Sequence, residues 1–441
     1  MNSQPFQEDV MTVEMLKTSP EAHVPVIIVG GGQGGLSLSY LLGEQGIDHL
    51  ILEKNRIGHS WRNERWDSFC LVTPNRQCRL PGFDYEQDYG GGDPHGFMLK
   101  DEIVAFLEAY AAKVRPPIHE GVAVTGVAPR KGGGFEVRSS DGVYTADKVI
   151  IAISGYHIPI VPRVGAALPA GILEVQSLDY RNPGDLPEGE ILVVGSGQSG
   201  CQIAEDLHLV GRKVHLAVGD APRAPRQYRG RDSTDWLEEM GHYDMPITEH
   251  PSSEKVRQNE NHYLTGRDGG REIDLRKFAL QGMKLYGMLS AIEGNKVRFR
   301  PDLTQHLDKA DATFLRIRST IDAYIERAGI NAPVEPDYQP VWAPDADPLE
   351  LDLAASNIST VIWCTGFRMD FSFIDVPVFD GRGYPSHQRG VSSHDGLYFI
   401  GLPWLHSWGS GRFAGVARDA AHIADHIALT TGRGEARAAR A

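Results

Sequence analysis

The order of apolar and polar positions divides the chain into strand–loop–helix–strand blocks. The run VPVIIVG from Val24 is β-branched and free of charge, the pattern of a short strand buried on both faces. A glycine cluster follows. LSLSYLLGEQG then carries apolar residues at helical spacing and stops near Gly46, and HLILEK is the next strand, ending at Glu53. The whole pattern returns further on, as EILVVG, a loop over Gly195–Gly200, the helix CQIAEDLHLVG and the strand KVHLAV. Two such units predict an α/β protein with two Rossmann-like dinucleotide-binding domains.

The remaining pattern suggests how the domains are threaded. Asn55–Pro94 is rich in Trp, Arg, Pro and Gly and has little periodicity; long irregular stretches of this kind in compact domains are often functional. Lys100–Ala112 reads as an amphipathic helix. Short strands around Val122–Val127 and Phe135–Ser139 bracket a triple-glycine turn, and KVIIAIS is a further buried strand. Pro159–Pro183 looks like a crossing between domains. A helix is expected near Thr313–Ala328, strands at STVIWCTG and GLYFIG, and a last helix at ARDAAHIADHIAL. The expected plan is a flexible extension over 1–23, a discontinuous first nucleotide domain over 24–160 and 349–430, a second nucleotide domain over 161–348 inserted into it, and a flexible tail over 431–441. Substrate lining is expected from Asn55–Pro94 and Asp232–Asp308.

The first loop fits G-x-G-x-x-G at Gly30, Gly32 and Gly35, with Gln33 inside it. The first glycine allows the tight turn, the second lets backbone approach a pyrophosphate, and the third lets helix pack on strand. The helix N-terminus then faces the phosphate charge. Glu53, at the end of the second strand, can accept hydrogen bonds from a ribose diol and would repel a 2′-phosphate. The second loop is Gly195-Ser196-Gly197-Gln198-Ser199-Gly200, and Val218 stands where the acid would be. Arg223, Arg226 and Arg229 follow. Guanidinium can grip a 2′-phosphate bidentately, which favours NADPH over NADH. Two alternatives stay open here: Asp220 is close enough to take the ribose role, and the arginines can equally form ordinary ion pairs.

Composition narrows the function. Across 441 residues the formal net charge is −14, which argues against a nucleic-acid footprint and against anionic membranes. No apolar run approaches the ~20 residues needed to cross a bilayer. The first residues lack the pattern of a signal peptide. The four cysteines, Cys70, Cys78, Cys201 and Cys364, form no Cys-x-x-Cys, so neither a zinc site nor a redox dithiol is expected, and free thiols suit a reducing cytoplasm. His157, His387 and His406 show no metal-ligand spacing.

From Val24 to about Ala428 the chain resembles the flavin-dependent monooxygenases of the FMO and YUCCA kind, and their bacterial relatives of cation-efflux type. The resemblance rests on both glycine loops, on His59–Phe83, on Phe97–Ala111, on WCTGF at Trp363–Phe367 and on GLYFIGLPWLHSWGSGRFAGVARDA at Gly396–Ala420. It implies an NADPH-dependent FAD monooxygenase, in which a flavin C4a-(hydro)peroxide oxygenates a small organic substrate with O₂. It further implies that Trp61, Arg62, Lys54, Val124, Leu405, Thr365 and Gly366 lie at the cofactors, with Trp404 beside Leu405. Asn75 would take the family's asparagine position near the reacting flavin; the residues themselves read equally as a turn cap after Pro74. Gln176 stands where the family carries a histidine before the second loop, and glutamine cannot carry a proton charge near neutral pH. An NAD(P)H oxidase or reductase without productive oxygen transfer and a non-catalytic redox sensor remain as alternative functions, and a homodimer is compatible with the sequence.

Overall fold

A computed structural model describes residues 22–258 and 261–431. The tail and nearly all of the N-terminal extension lie outside these residues. Two sheets, each built around one glycine loop, form the frame; the first is parallel except at its antiparallel edge, His387–Gln388 and Val391–Ser392. In the first, seven strands run in the order His387–Gln388, Val391–Ser392, Leu397–Phe399, Lys148–Ile151, Val26–Val29, His49–Glu53 and Ile118–Glu120. In the second the order is Leu173–Gln176, Ile358–Trp363, Glu190–Val194, Val214–Ala217 and Lys284–Tyr286, all parallel. The strand that enters each loop is apolar, but for Glu190 at the start of the second, because both faces are covered; Ile27 and Ile28, like Ile191 to Val193, are fully buried.

Ile358–Trp363 corrects the expected domain plan. It inserts between Leu173–Gln176 and Glu190–Val194, so it belongs to the second sheet and not to the first domain, where the sequence placed it. The stretch expected to be only a crossing supplies the neighbouring strand, Leu173–Gln176. The two true crossings lie side by side as the antiparallel pair Ile158–Pro159 and Phe367–Arg368. An apolar β-branched strand announces that it will be buried, but not in which sheet, because both sheets offer it the same environment.

The long helix is also longer than expected, Leu303–Ala328, ending at Gly329 in the left-handed conformation. Its apolar stripe is interrupted by His306, Asp311 and Thr313, which are buried yet polar. A buried polar residue with partners is invisible to periodicity. Ala22–His23, placed in the flexible extension by the sequence, pairs with Tyr144–Thr145. One apolar core runs through both units, joined by Trp66, Phe69 and Tyr180.

Candidate functional site

Each loop begins at a glycine that only a missing side chain permits. Gly30 has φ +107°, and a Cβ there would lie 2.7 Å from the Ala152 carbonyl oxygen. Gly195 has φ +101°, and a Cβ there would lie 2.5 Å from the Cys364 carbonyl oxygen. The last glycines pack closer still: a Cβ on Gly35 would meet the Gly30 oxygen at 2.0 Å, and one on Gly200 the Gly195 oxygen at 1.8 Å. Helix and strand can approach this closely only with glycine. Thr365 and Gly366, at the end of the Ile358–Trp363 strand, follow directly on the Cys364 that Gly195 touches. The Thr365 hydroxyl donates to the Ile160 carbonyl at the crossing.

The loops fit a pyrophosphate. The helices Gln33–Glu44 and Gln198–Leu209 have no side-chain cap and no acid in the first turn, so their N-terminal N–H groups are left for an anion. Nothing lies within 4 Å of where a Cβ on Gly32 would be, a space that backbone-close phosphate can use. Gln33 Nε2 donates to the Gly411 carbonyl at 2.9 Å, tying the first loop to the C-terminal element. Gln198, at the same place in the second loop, exchanges hydrogen bonds with the backbone of Leu264.

The strand ends differ. The Glu53 carboxylate accepts the Gly31 N–H at 2.6 Å and the Asn55 N–H at 2.8 Å, so it is oriented by backbone and each oxygen keeps a lone pair for a ribose hydroxyl. Lys54 beside it is exposed. In the second unit Ser196 fills the place of Gly31, and its hydroxyl accepts the Gly219 N–H at 2.9 Å. Asp220 comes next and is held by side chains, His306 Nδ1 at 2.9 Å and Lys309 Nζ at 2.6 Å.

The arginines expected to grip a 2′-phosphate are committed elsewhere. Arg223 is 2% exposed and pairs with Glu272, with Asp274 at 3.1 Å and with Asp311 at 2.9 Å. Arg226 is 1% exposed; it binds Asp232 and donates to the Val72 carbonyl at 2.8 Å. Both are structural ion pairs that fix the insertion, because a buried guanidinium is tolerated only when carboxylates surround it.

Asn75 is likewise engaged by protein partners. It is buried at the start of the short 3₁₀ turn Asn75–Gln77. Its amide donates to Tyr85 Oη at 3.1 Å and to the Asp93 carbonyl at 2.9 Å, and its oxygen accepts the Met98 N–H at 2.8 Å. With both N–H groups used, the side chain braces the irregular segment by bonds to Tyr85, Asp93 and Met98 and does not cap its own turn. Arg62 pairs with Glu108 at 2.7 Å, and Trp61 stacks on Phe413 with centroids 6.0 Å apart. Val124 packs on the core that holds Val29 and Leu52, and Leu405 is buried in the same core. Trp404 has φ +53°, a strained backbone for a bulky residue, and its carbonyl accepts from Arg257.

The irregular segment bridges the two units. Ser68 Oγ donates to Asp206 of the Gln198–Leu209 helix, as does Tyr180, and Arg267 also pairs with Asp206. Next to it, burial raises the Glu205 carboxyl to about 7, against the pull of Arg271 and Arg267. A cleft of about 560 Å³ lies between Arg76 and His95 on one side and Arg231, Asp235 and Glu238 on the other, between the stretches expected to line the substrate. Its acids are already paired, Asp235 with Arg76 and Glu238 with Arg79. Arg412, which sequence reasoning missed, lies over Trp408 at 4.1 Å and donates to Asn261 at 2.9 Å, with no carboxylate partner among the described residues. All four cysteines are buried and free, and burial pushes the Cys364 thiol up to about 12.

A family model for pyridine nucleotide-disulphide oxidoreductases matches residues 27–311, which take in both loops. The chain belongs to that family. This oxidoreductase is 33% identical over 407 residues, 92% of its length and 98% of the other, to an uncharacterized CzcO-like oxidoreductase of Geobacillus kaustophilus. It is 28% identical to the indole-3-pyruvate monooxygenase YUCCA1 of Oryza sativa subsp. japonica, over 48% of its own length and 52% of that protein. Its fold is that of a flavin-containing monooxygenase from Stenotrophomonas maltophilia, with TM-score 0.63 at 18% identity, covering 93% of this chain and 99% of that one. The family assignment and the two nucleotide units make it a flavin-dependent oxidoreductase. Among the described residues no helix is long and apolar enough to cross a membrane.

Proposed function

We propose that this oxidoreductase is an NADPH-dependent FAD monooxygenase acting on a small organic substrate with O₂. The observation that carries the reading is the pairing of two complete dinucleotide loops with four cysteines that are buried, unpaired and pushed toward the thiol form. The protein offers no dithiol to receive electrons, so the electron acceptor comes from solution. FAD, when bound, supplies the chemistry of taking up hydride and passing electrons to O₂.

The chain's own residues supply binding and enclosure. Gly30–Gly35 and the start of the Gln33–Glu44 helix would hold the FAD pyrophosphate, and Glu53 its ribose. Gly195–Gly200 would hold the nicotinamide nucleotide. The Trp61–Phe413 stack and the buried Leu405 keep water from the region between the first loop and the C-terminal element. The buried free thiols fit a reducing, cytoplasmic compartment.

The test is a coupling measurement on the FAD-loaded protein with NADPH, ¹⁸O₂ and a panel of small carbonyl, sulfur and nitrogen compounds. A monooxygenase incorporates ¹⁸O into one of them and releases less H₂O₂ than the NADPH it consumes. Stoichiometric H₂O₂ with every compound would assign the protein as an oxidase instead.

A further inference from the structure

The second nucleotide unit lacks the grip that its sequence advertised, since Arg223 and Arg226 are enclosed by carboxylates. A lysine and a histidine stand at the same strand end. The turn after Val214–Ala217 is pinned by the Ser196–Gly219 hydrogen bond and presents Asp220. Two residues of the Leu303–Ala328 helix reach this carboxylate, Lys309 and His306. Lys309 and Asp220 are more than half exposed, whereas the His306 side chain is 8% exposed.

The helix is 26 residues long and His306 lies in its first turn, where Asp302 is the N-cap residue and the Asp347 carboxylate accepts the Thr304 N–H at 3.1 Å, so the positive charge at Asp220 comes from Lys309 rather than from the helix end. Among the described residues His306 Nε2 has no hydrogen-bond partner, and Asp302 lies 3.4 Å from it. The Lys309 ammonium holds the Asp220 carboxyl below the usual carboxylate range, with His306 adding to the effect. Asp220 is therefore ionised at neutral pH and already has a cationic partner. Glu53 in the first unit differs: only backbone N–H groups hold it.

We infer that Lys309, with His306 behind it, is the cationic grip for the 2′-phosphate of NADPH, and that Asp220 is the resident counter-ion which the phosphate displaces. The inference rests on reading the second loop as the nicotinamide-nucleotide site. A phosphate at this position offers Lys309 up to two charges in place of one. It must also tolerate a displaced carboxylate nearby, so the preference for NADPH over NADH is modest in the natural protein. Asp220 can then accept the 2′-hydroxyl of NADH, which lets both nucleotides bind. Neutralising Asp220 sharpens the preference, and removing Lys309 abolishes it.

The experiment compares binding of 2′,5′-ADP and 5′-AMP to the FAD-loaded protein by titration calorimetry, for the natural sequence, Lys309→Ala, Lys309→Arg and Asp220→Asn. Both positions are exposed, and unchanged flavin absorbance and melting temperature check that each variant is folded. Lys309→Ala should weaken 2′,5′-ADP by about tenfold while 5′-AMP stays within about twofold, the loss of one charge-assisted phosphate contact. Lys309→Arg should restore the preference, and Asp220→Asn should raise it. An unchanged ratio of the two affinities in both Lys309→Ala and Asp220→Asn would overturn the inference and leave the site reading intact. If the natural protein binds neither nucleotide, both the site reading and the inference fall.

Discussion

The two nucleotide units share a frame and differ at one corner. Both place a positive-φ glycine against the end of a neighbouring strand, both leave a helix N-terminus uncapped, and both use a glutamine at the fourth loop position to reach distant backbone. At the strand end the first unit holds a carboxylate by backbone N–H groups, and the second holds one by the side chains of a lysine and a histidine. A carboxylate fixed by backbone cannot be exchanged for a ligand anion, because its N–H partners belong to the loop itself. One fixed by an exposed lysine side chain can be. The frame thus gives both units the shape of a dinucleotide site, and the proposed difference between their ligands rests on the corner.

The sharpest way to break this comparison is to substitute the last glycine of each loop. Gly35→Ala should yield protein without the visible absorbance of bound FAD. Gly200→Ala should remain yellow yet no longer be reduced by NADPH. Loss of flavin from both variants would show that the units are not independent.

Next in size is Arg223→Ala. Removing it leaves Asp274 and Asp311 buried with one cation fewer, at a cost of about 3–5 kcal/mol in urea unfolding. NADPH and NADH should be affected alike. A selective loss of NADPH would return Arg223 to the phosphate site.

Glu53→Gln tests the other corner. Replacing one of the two charged oxygens that face the ribose by an N–H₂ group should weaken FAD binding by about 1.5–3 kcal/mol, read from flavin release on dilution. The nucleotide preference of the second site should not move.

The smallest effect concerns the joint between the units. Burial holds the folded-state pKa of Glu205 near 7, above its ordinary 4.5. The folded protein therefore keeps this proton where the unfolded chain has released it. Its contribution to stability falls as pH rises from about 4.5 to about 7 and stays low above that. Glu205→Gln should flatten this part of the pH–stability curve and gain on the order of 1–3 kcal/mol at pH 8. An unchanged slope would place the pH dependence elsewhere.

Local sequence was enough for each unit's frame. A charge-free β-branched run, glycines at fixed spacing and an amphipathic helix specify a strand, a tight phosphate-ready turn and a packed helix through short-range sterics and periodicity alone. Glu53 was legible for the same reason, since it lies on the unit whose ligand it would serve. The tertiary structure decided which sheet received Ile358–Trp363, because two sheets accept the same strand. It also decided what each polar side chain meets. Arg223 and Arg226 follow the second unit in sequence, yet acids from 232 to 311 surround them. Asn75 is occupied by partners up to 23 residues away. Lys309 and His306 lie far along the chain from the second loop and reach its strand end only because a long helix folds back across it. Charge partners are chosen by long-range packing, and periodicity carries no record of that choice.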